Sequence, residues 1–174
     1  ILLGGGVTVS NITYNGNPAS VVDAQVGEFT DATSSVGLSN GIILGTGDVD
    51  LAAQPNTGGG STLGGTGNSS QDPDLTAIST ATLYNQCIVE FDFIPLGDTL
   101  SFNYVFASEE YPEYVCSDYN DVFGFFLSGN NPAGGTYNSQ NLALVPNPAV
   151  PGTFTNTAVA INTINPGVSG SSGD

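Results

Sequence analysis

An all-β fold, a β-sandwich of jelly-roll type with long Gly/Ser-rich loops and at most one or two short helices, is what this sequence predicts. Three observations carry that prediction. Short apolar runs recur with a period of two, glycine, proline and asparagine separate them, and almost nothing repeats with the helical period. The 24 glycines and 10 prolines among 174 residues supply the separators. A hydrophobic content of 39%, with nine Phe and seven Tyr, lets the chain bury enough apolar surface to order itself despite its acidity. The length suits one domain over residues 1–174, because a domain of this size removes roughly 70% of its unfolded surface from water. No repeat of about 20 to 50 residues argues for a solenoid.

In chain order, VTVSNITY at 7–14 and GIILGTG at 41–47 are the first strand candidates. Between Ala52 and Gln71 lies AAQPNTGGGSTLGGTGNSSQ, a low-complexity loop without an apolar period. Its glycines do not make a phosphate cradle, since the stretch has no lysine and no strand-to-helix frame. Asp72-Pro73-Asp74-Leu75 is the best helix signal: Asp72 suits an N-cap, Pro73 suits the first helical position, and Leu75 and Ile78 share a face.

The clearest periodicity follows. In CIVEFDFI, Cys87, Val89, Phe91 and Phe93 fall on one face and Glu90 and Asp92 on the other, as in a half-buried strand. TLSFNYVF repeats the pattern with Leu100, Phe102, Tyr104 and Phe106. Pro95, Gly97 and Asp98 lie between the two runs, so an antiparallel hairpin is expected. VFGFFLS, from Val122 to Ser128, reads as a strand buried on both faces. NLALV at 141–145 and TAVAINTI at 157–164 close the series.

The charge balance excludes much chemistry. All 16 charged residues are acidic, giving a formal net charge of −16 without a single lysine, arginine or histidine. Nucleic acid and anionic membrane surfaces are therefore poor partners, while cations, basic proteins and neutral sugars remain. Catalysis by Ser-His-Asp or Cys-His, by a lysine Schiff base or by a histidine-bearing zinc site is ruled out. Carboxylate chemistry survives, and a glycosidase pair could be drawn from Glu109 or Glu113 with Asp118 or Asp121, as it could from any clustered acids. A non-enzymatic module is the favoured reading. No apolar run of about eighteen residues marks a membrane span.

Residues 108 to 121, SEEYPEYVCSDYND, bring five carboxylates together. Two carboxylates about 4 Å apart repel by roughly 4 kcal/mol at an effective dielectric near 20, and no basic side chain is available to relieve them. A hard cation such as Ca2+, which takes carboxylate, amide and backbone oxygens, fits Glu109, Glu110, Asp118, Asn120 and Asp121, with Asp72 and Asp74 as second-rank ligands. The spacing does not match an EF-hand, and neighbouring Glu109 and Glu110 would point to opposite faces of a continuing strand. The competing reading is a solvated loop whose acids are spread apart and screened by salt. Tyr111, Tyr114 and Tyr119 interleave with the acids, either packing the loop onto the sheet or offering aromatic faces to a sugar. Cys87 and Cys116 are an even pair whose disulfide would close a loop of about thirty residues, worth roughly 3 to 4 kcal/mol. The alternative is two unlinked thiols.

The stretch LSFNYVFASEEYPEYVCSDYNDVFGFFLSG resembles the choice-of-anchor L domain of secreted bacterial surface proteins. LLGGGVTVSNITYNGNPAS, GLSNGIILGTGD and DPDL look like the N-terminal half of the same family, so the likeness spans nearly the whole chain. It implies an extracellular, adhesive module at the bacterial cell surface, exported by a secretion machinery that is often type IX. The implied partners are surface glycans, other surface proteins or further copies of the chain, and no reaction is implied. The family's domain runs on through further strands, so the resemblance also implies a sandwich continuing beyond Asp174.

Overall fold

The computed structural model describes residues 6–18, 20, 24–53, 71–108 and 114–165. The backbone clusters into two compact units, Ile1–Ser70 with Tyr84–Val105 and Gln71–Leu83 with Phe106–Asp174. Each is built from its own strands.

In the first unit, β1 (Val7–Tyr14) turns through Asn15 and Gly16 into the two-residue β2 (Asn17–Pro18). Asn15 and Gly16 have φ of 47° and 75°, the paired left-handed conformation that a two-residue hairpin turn demands and that Asn-Gly adopts most readily. Next come β3 (Val26–Thr30), the short helix α1 (Thr33–Val36) and β4 (Asn40–Leu44), with β3 and β4 antiparallel from Val26↔Leu44 to Thr30↔Asn40. A 3-10 turn covers Val49–Ala53. Residues 54–70 of the low-complexity stretch lie outside the described residues.

In the second unit, α2 (Pro73–Ile78) starts as the sequence predicts. Asp72 is the N-cap, its Oδ1 accepting from the Leu75 N–H at 2.8 Å, and Pro73 sits in the first turn where its missing N–H costs nothing.

The chain then returns to the first unit as β5 (Val89–Pro95). Val89, Phe91 and Phe93 are half-buried while Glu90 and Asp92 are exposed, as the period of two requires. Its partner, however, is β1, antiparallel from Val7↔Pro95 to Tyr14↔Val89, giving the sheet order β2-β1-β5. The hairpin expected with TLSFNYVF is not formed, and residues 99–108 enter no ladder with another described residue. Periodicity says which face a strand buries and leaves its neighbour open. β1 offers the acids of β5 something specific. A bulge between Ser10 and Thr13 puts Asn11 in the left-handed region, φ 53°, and its amide Nδ2 donates to Asp92 Oδ2 at 2.6 Å.

The centre of this unit is polar. Gln25 is fully buried; its Nε2 donates to the Asn85 carbonyl at 2.8 Å and its Oε1 accepts from Asn15 Nδ2 at 3.1 Å. The Gln25 carbonyl accepts from the Gly45 N–H at 2.9 Å, and Asn15 Oδ1 accepts from the Ile88 N–H at 2.9 Å. Gln25, through side chain and backbone, and Asn15 together thus tie the β1–β2 turn, the entry to β3, the exit of β4 and the entry to β5.

The remaining strands belong to the second unit: β6 (Val122–Phe123), β7 (Phe126–Asn130), β8 (Thr136–Asn141), β9 (Leu144–Pro146) and β10 (Phe154–Ala160), followed by α3 (Ile161–Ile164). The single doubly buried strand expected over Val122–Ser128 is instead two strands, half-buried up to Leu127. Gly124 explains the break. A Cβ there would lie 2.5 Å from the Phe126 ring, so the ring folds back over a backbone that only glycine leaves open. β6 pairs with β10 in the order β6-β10-β9, and β7 pairs with β8. NLALV likewise divides between the end of β8 and the start of β9, and TAVAINTI stops being a strand at Ala160. There Thr163 Oγ1 accepts from the Ala160 N–H at 2.8 Å and starts a turn of helix. The apolar core of this unit is Val115, Ala143, Val159, Ala160 and Ile161, each at most 3% exposed.

The fold is all-β: mostly strands in antiparallel sheets of two or three, with three short α-helices among the described residues. The described ladders do not trace jelly-roll connectivity. No helix among the described residues is long and apolar enough to cross a membrane.

Candidate functional site

The acidic stretch leaves Phe106 and returns at β6, and its described part, 114–121, is held from below. Val115 is fully buried and anchors the loop to the aliphatic core. The Ser117 N–H donates to the Tyr114 carbonyl at 3.0 Å, closing a tight turn in which Cys116 takes φ of 64°. Asn162 of α3 then clamps it. Asn162 Oδ1 accepts from the Cys116 N–H at 2.6 Å, Nδ2 donates to the Ser117 carbonyl at 3.2 Å, and the Asn162 N–H donates to Asn120 Oδ1 at 2.9 Å. Asn120 is 7% exposed and passes the connection on, its Nδ2 donating to Thr80 Oγ1 at 3.0 Å. The Asp121 carbonyl accepts from the Ile161 N–H at 3.1 Å. A loop satisfied this fully at its base can present Asp118 and Tyr119 in one conformation.

Of the sequence-predicted ligands, Glu109, Glu110 and Glu113 lie outside the described residues, as does Tyr111. Asp118 is exposed; Asp121 is half-buried and accepts from Ser108 Oγ at 2.6 Å. Asn120 points into the fold, both amide atoms engaged as above. Asp72 spends Oδ1 on its helix cap, and Asp74 stands in the first turn of the same helix, where a carboxylate is favoured by the helix dipole. Among the described residues no three His, Cys, Asp or Glu side chains are gathered as a metal-binding group.

Several of the described carboxylates are met by neutral donors: Asp92 by Asn11, Asp121 by Ser108, Asp72 by the Leu75 N–H, Asp48 by the Asp50 N–H at 3.0 Å, and Glu90 more loosely by Thr13 Oγ1 at 3.4 Å. Hydrogen bonds to an ionised acceptor are stronger than neutral ones, so amides and hydroxyls partly replace the missing cationic side chains.

Tyr114 and Tyr119 meet edge to face, ring centroids 5.2 Å apart at 70°, and Tyr119 is 62% exposed. Cys87 and Cys116 are not joined. The Cys87 thiol, in the first unit, donates to the Gln25 carbonyl at 3.3 Å, and Cys116, in the second, sits in the exposed turn described above. Asn162, Thr80 and Ser108, which hold the loop, were invisible to motif reading. A single asparagine after a strand carries no pattern, and its role arises only when α3 is folded beneath the loop.

The described residues thus combine an all-β fold with a clamped loop that carries Asp118, Asp121, Tyr114 and Tyr119. The choice-of-anchor L domain profile matches residues 1–173, essentially the whole chain, and the chain belongs to that family of surface-associated modules. No curated protein and no solved structure gives a significant match.

Proposed function

We propose that this chain is a non-enzymatic extracellular module of a bacterial surface protein, serving adhesion or surface-filament structure, with Ca2+ stiffening the loop of residues 108–121. Membership of the choice-of-anchor L family is the observation that carries the surface role. The cation reading rests on the charge: −16 with no basic residue, and Asp118 left exposed on a loop whose base is already satisfied. Asp118 and Asp121 would be ligands together with glutamates 109 and 110. A hard cation there supplies the positive charge that this polypeptide lacks. Thermal melting with chelator and then with millimolar Ca2+ tests it. Saturation at about 100 times the dissociation constant adds about 2.7 kcal/mol of stability, and an unmoved melting temperature refutes the site.

A second reading is carbohydrate recognition by the same loop, and the exposed Tyr119 face braced by Tyr114 is the observation that favours it. Glycan-array binding abolished by Tyr119→Ala or Tyr114→Ala supports this reading, and an array with no signal removes it.

A further inference from the structure

The exposed long edge of β5 is the feature that the surface-module reading does not use. Within the β2-β1-β5 sheet, β5 is paired on one side only. The Leu96 N–H donates to the Gly6 carbonyl at 2.9 Å and the Asn15 N–H to the Ile88 carbonyl at 2.8 Å. Even-numbered residues of this strand therefore direct their backbone groups towards β1. The N–H and C=O groups of Val89, Phe91 and Phe93 face the other way, and among the described residues they have no hydrogen-bond partner. Natural sheets blunt such edges with proline, bulges or charge, because a row of unmet donors and acceptors is a template for another strand. Here Pro95 closes one end, and the bulge lies on the β1 side, away from the free edge.

The outward face of the same strand says what would dock. Glu90 and Asp92 are exposed, and beyond them Ile94 and Leu96 are 68% and 70% exposed. Two carboxylates followed by two aliphatic side chains, in a chain with 16 acids and no base, repel a second copy: antiparallel self-pairing centred on Asp92 would set that carboxylate against its twin. The complementary occupant is an extended segment whose lysines or arginines alternate with small β-branched residues.

We propose that the β5 edge, from Val89 to Ile94, receives a basic extended segment of another protein by strand addition, backbone bonds forming to Val89, Phe91 and Phe93 and cations meeting Glu90 and Asp92. This names a partner class for the surface module and rests on that reading only for where the partner is encountered. It is independent of any cation or sugar at the tyrosine loop.

The test titrates the full chain with a peptide alternating lysine and valine, matched to the seven residues of β5. The controls are a proline-interrupted version and a version with glutamate for lysine, followed by amide NMR and by affinity at two salt concentrations. The proposal expects shifts and new exchange protection at Val89, Phe91 and Phe93, affinity that falls with salt, and roughly three- to tenfold weaker binding in E90Q/D92N. Equal binding of the proline peptide overturns strand addition, and equal binding of the glutamate peptide overturns the charge argument. No binding of the lysine peptide overturns the proposal while leaving the surface-module reading intact. It also falls if those three amides are already protected in the free chain, which would mean that the chain itself covers the edge, or if the chain dimerises through β5.

Discussion

The two units are stabilised at their centres by different chemistry. In Ile1–Ser70 with Tyr84–Val105, the large side chain removed from water is an amide, Gln25, whose bonds reach Asn15 and Asn85. In Gln71–Leu83 with Phe106–Asp174, the corresponding residues are Ile161 and Val115. Burying an aliphatic side chain is favourable in any close-packed surrounding. A buried amide contributes only when every donor and acceptor is met, and then it dictates one arrangement of the segments it joins. The first unit therefore relies on directionality and the second on volume.

That contrast is sharpest under truncation. Ile161→Ala leaves a cavity beneath the clamped loop and is expected to cost about 2–5 kcal/mol in urea unfolding followed by circular dichroism. Gln25→Ala removes less apolar area but takes away the bonds that the Gln25 side chain makes with Asn15 Nδ2 and the Asn85 carbonyl, a loss of about 1–3 kcal/mol. Hydrogen exchange should speed up at Gly45 and Ile88 while Val159 and Ala160 keep their protection. If Gln25→Ala loosens both units equally, the contrast between them fails.

Asn162→Ala is the intermediate case. It removes the bonds from the Cys116 N–H and to the Ser117 carbonyl at a partly exposed site, for about 1–2 kcal/mol. Its main readout is local, namely faster proteolysis within 108–121 than within β5. Unchanged cleavage would show that the Val115 anchor alone fixes the loop.

The smallest effect is at Tyr104, whose phenol is pushed above its ordinary range by partial burial. Because the folded-state pKa is the raised one, its contribution to stability is complete below the ordinary phenol value. It is lost as pH rises through the folded value. An absorbance titration should contain one late-ionising tyrosine, absent from Tyr104→Phe.

How far the sequence could be read differs from residue to residue. The Asp72 cap and the in/out alternation of β5 were legible because each depends on neighbours within a turn or on strand pleat. VTVSNITY was legible as β1 for the same reason, although the Asn11 bulge within it was not. β3 and β8 escaped because VGEFT and TYNSQN lack an apolar period. TLSFNYVF is adjacent to β5 and correctly patterned, yet β1, 75 or more positions away, pairs with it and supplies the amide and hydroxyl that meet Asp92 and Glu90. The acids themselves were read as needing a positive counterpart. Among the described residues several obtain a neutral donor, which no count of lysines and arginines reveals.

The sequence by itself determined an acidic, all-β chain without basic catalysis, the faces that its strands bury and where its first capped helix begins, since those follow from composition and from interactions a few residues long. Only the tertiary structure decided that β5 lies beside β1, that Gly124 splits a continuous apolar run, and that Asn162 holds the acidic loop. Each of those depends on donors, rings or backbone groups brought together from distant positions, and hydrogen bonding and close packing act on distance in space, which sequence spacing does not encode.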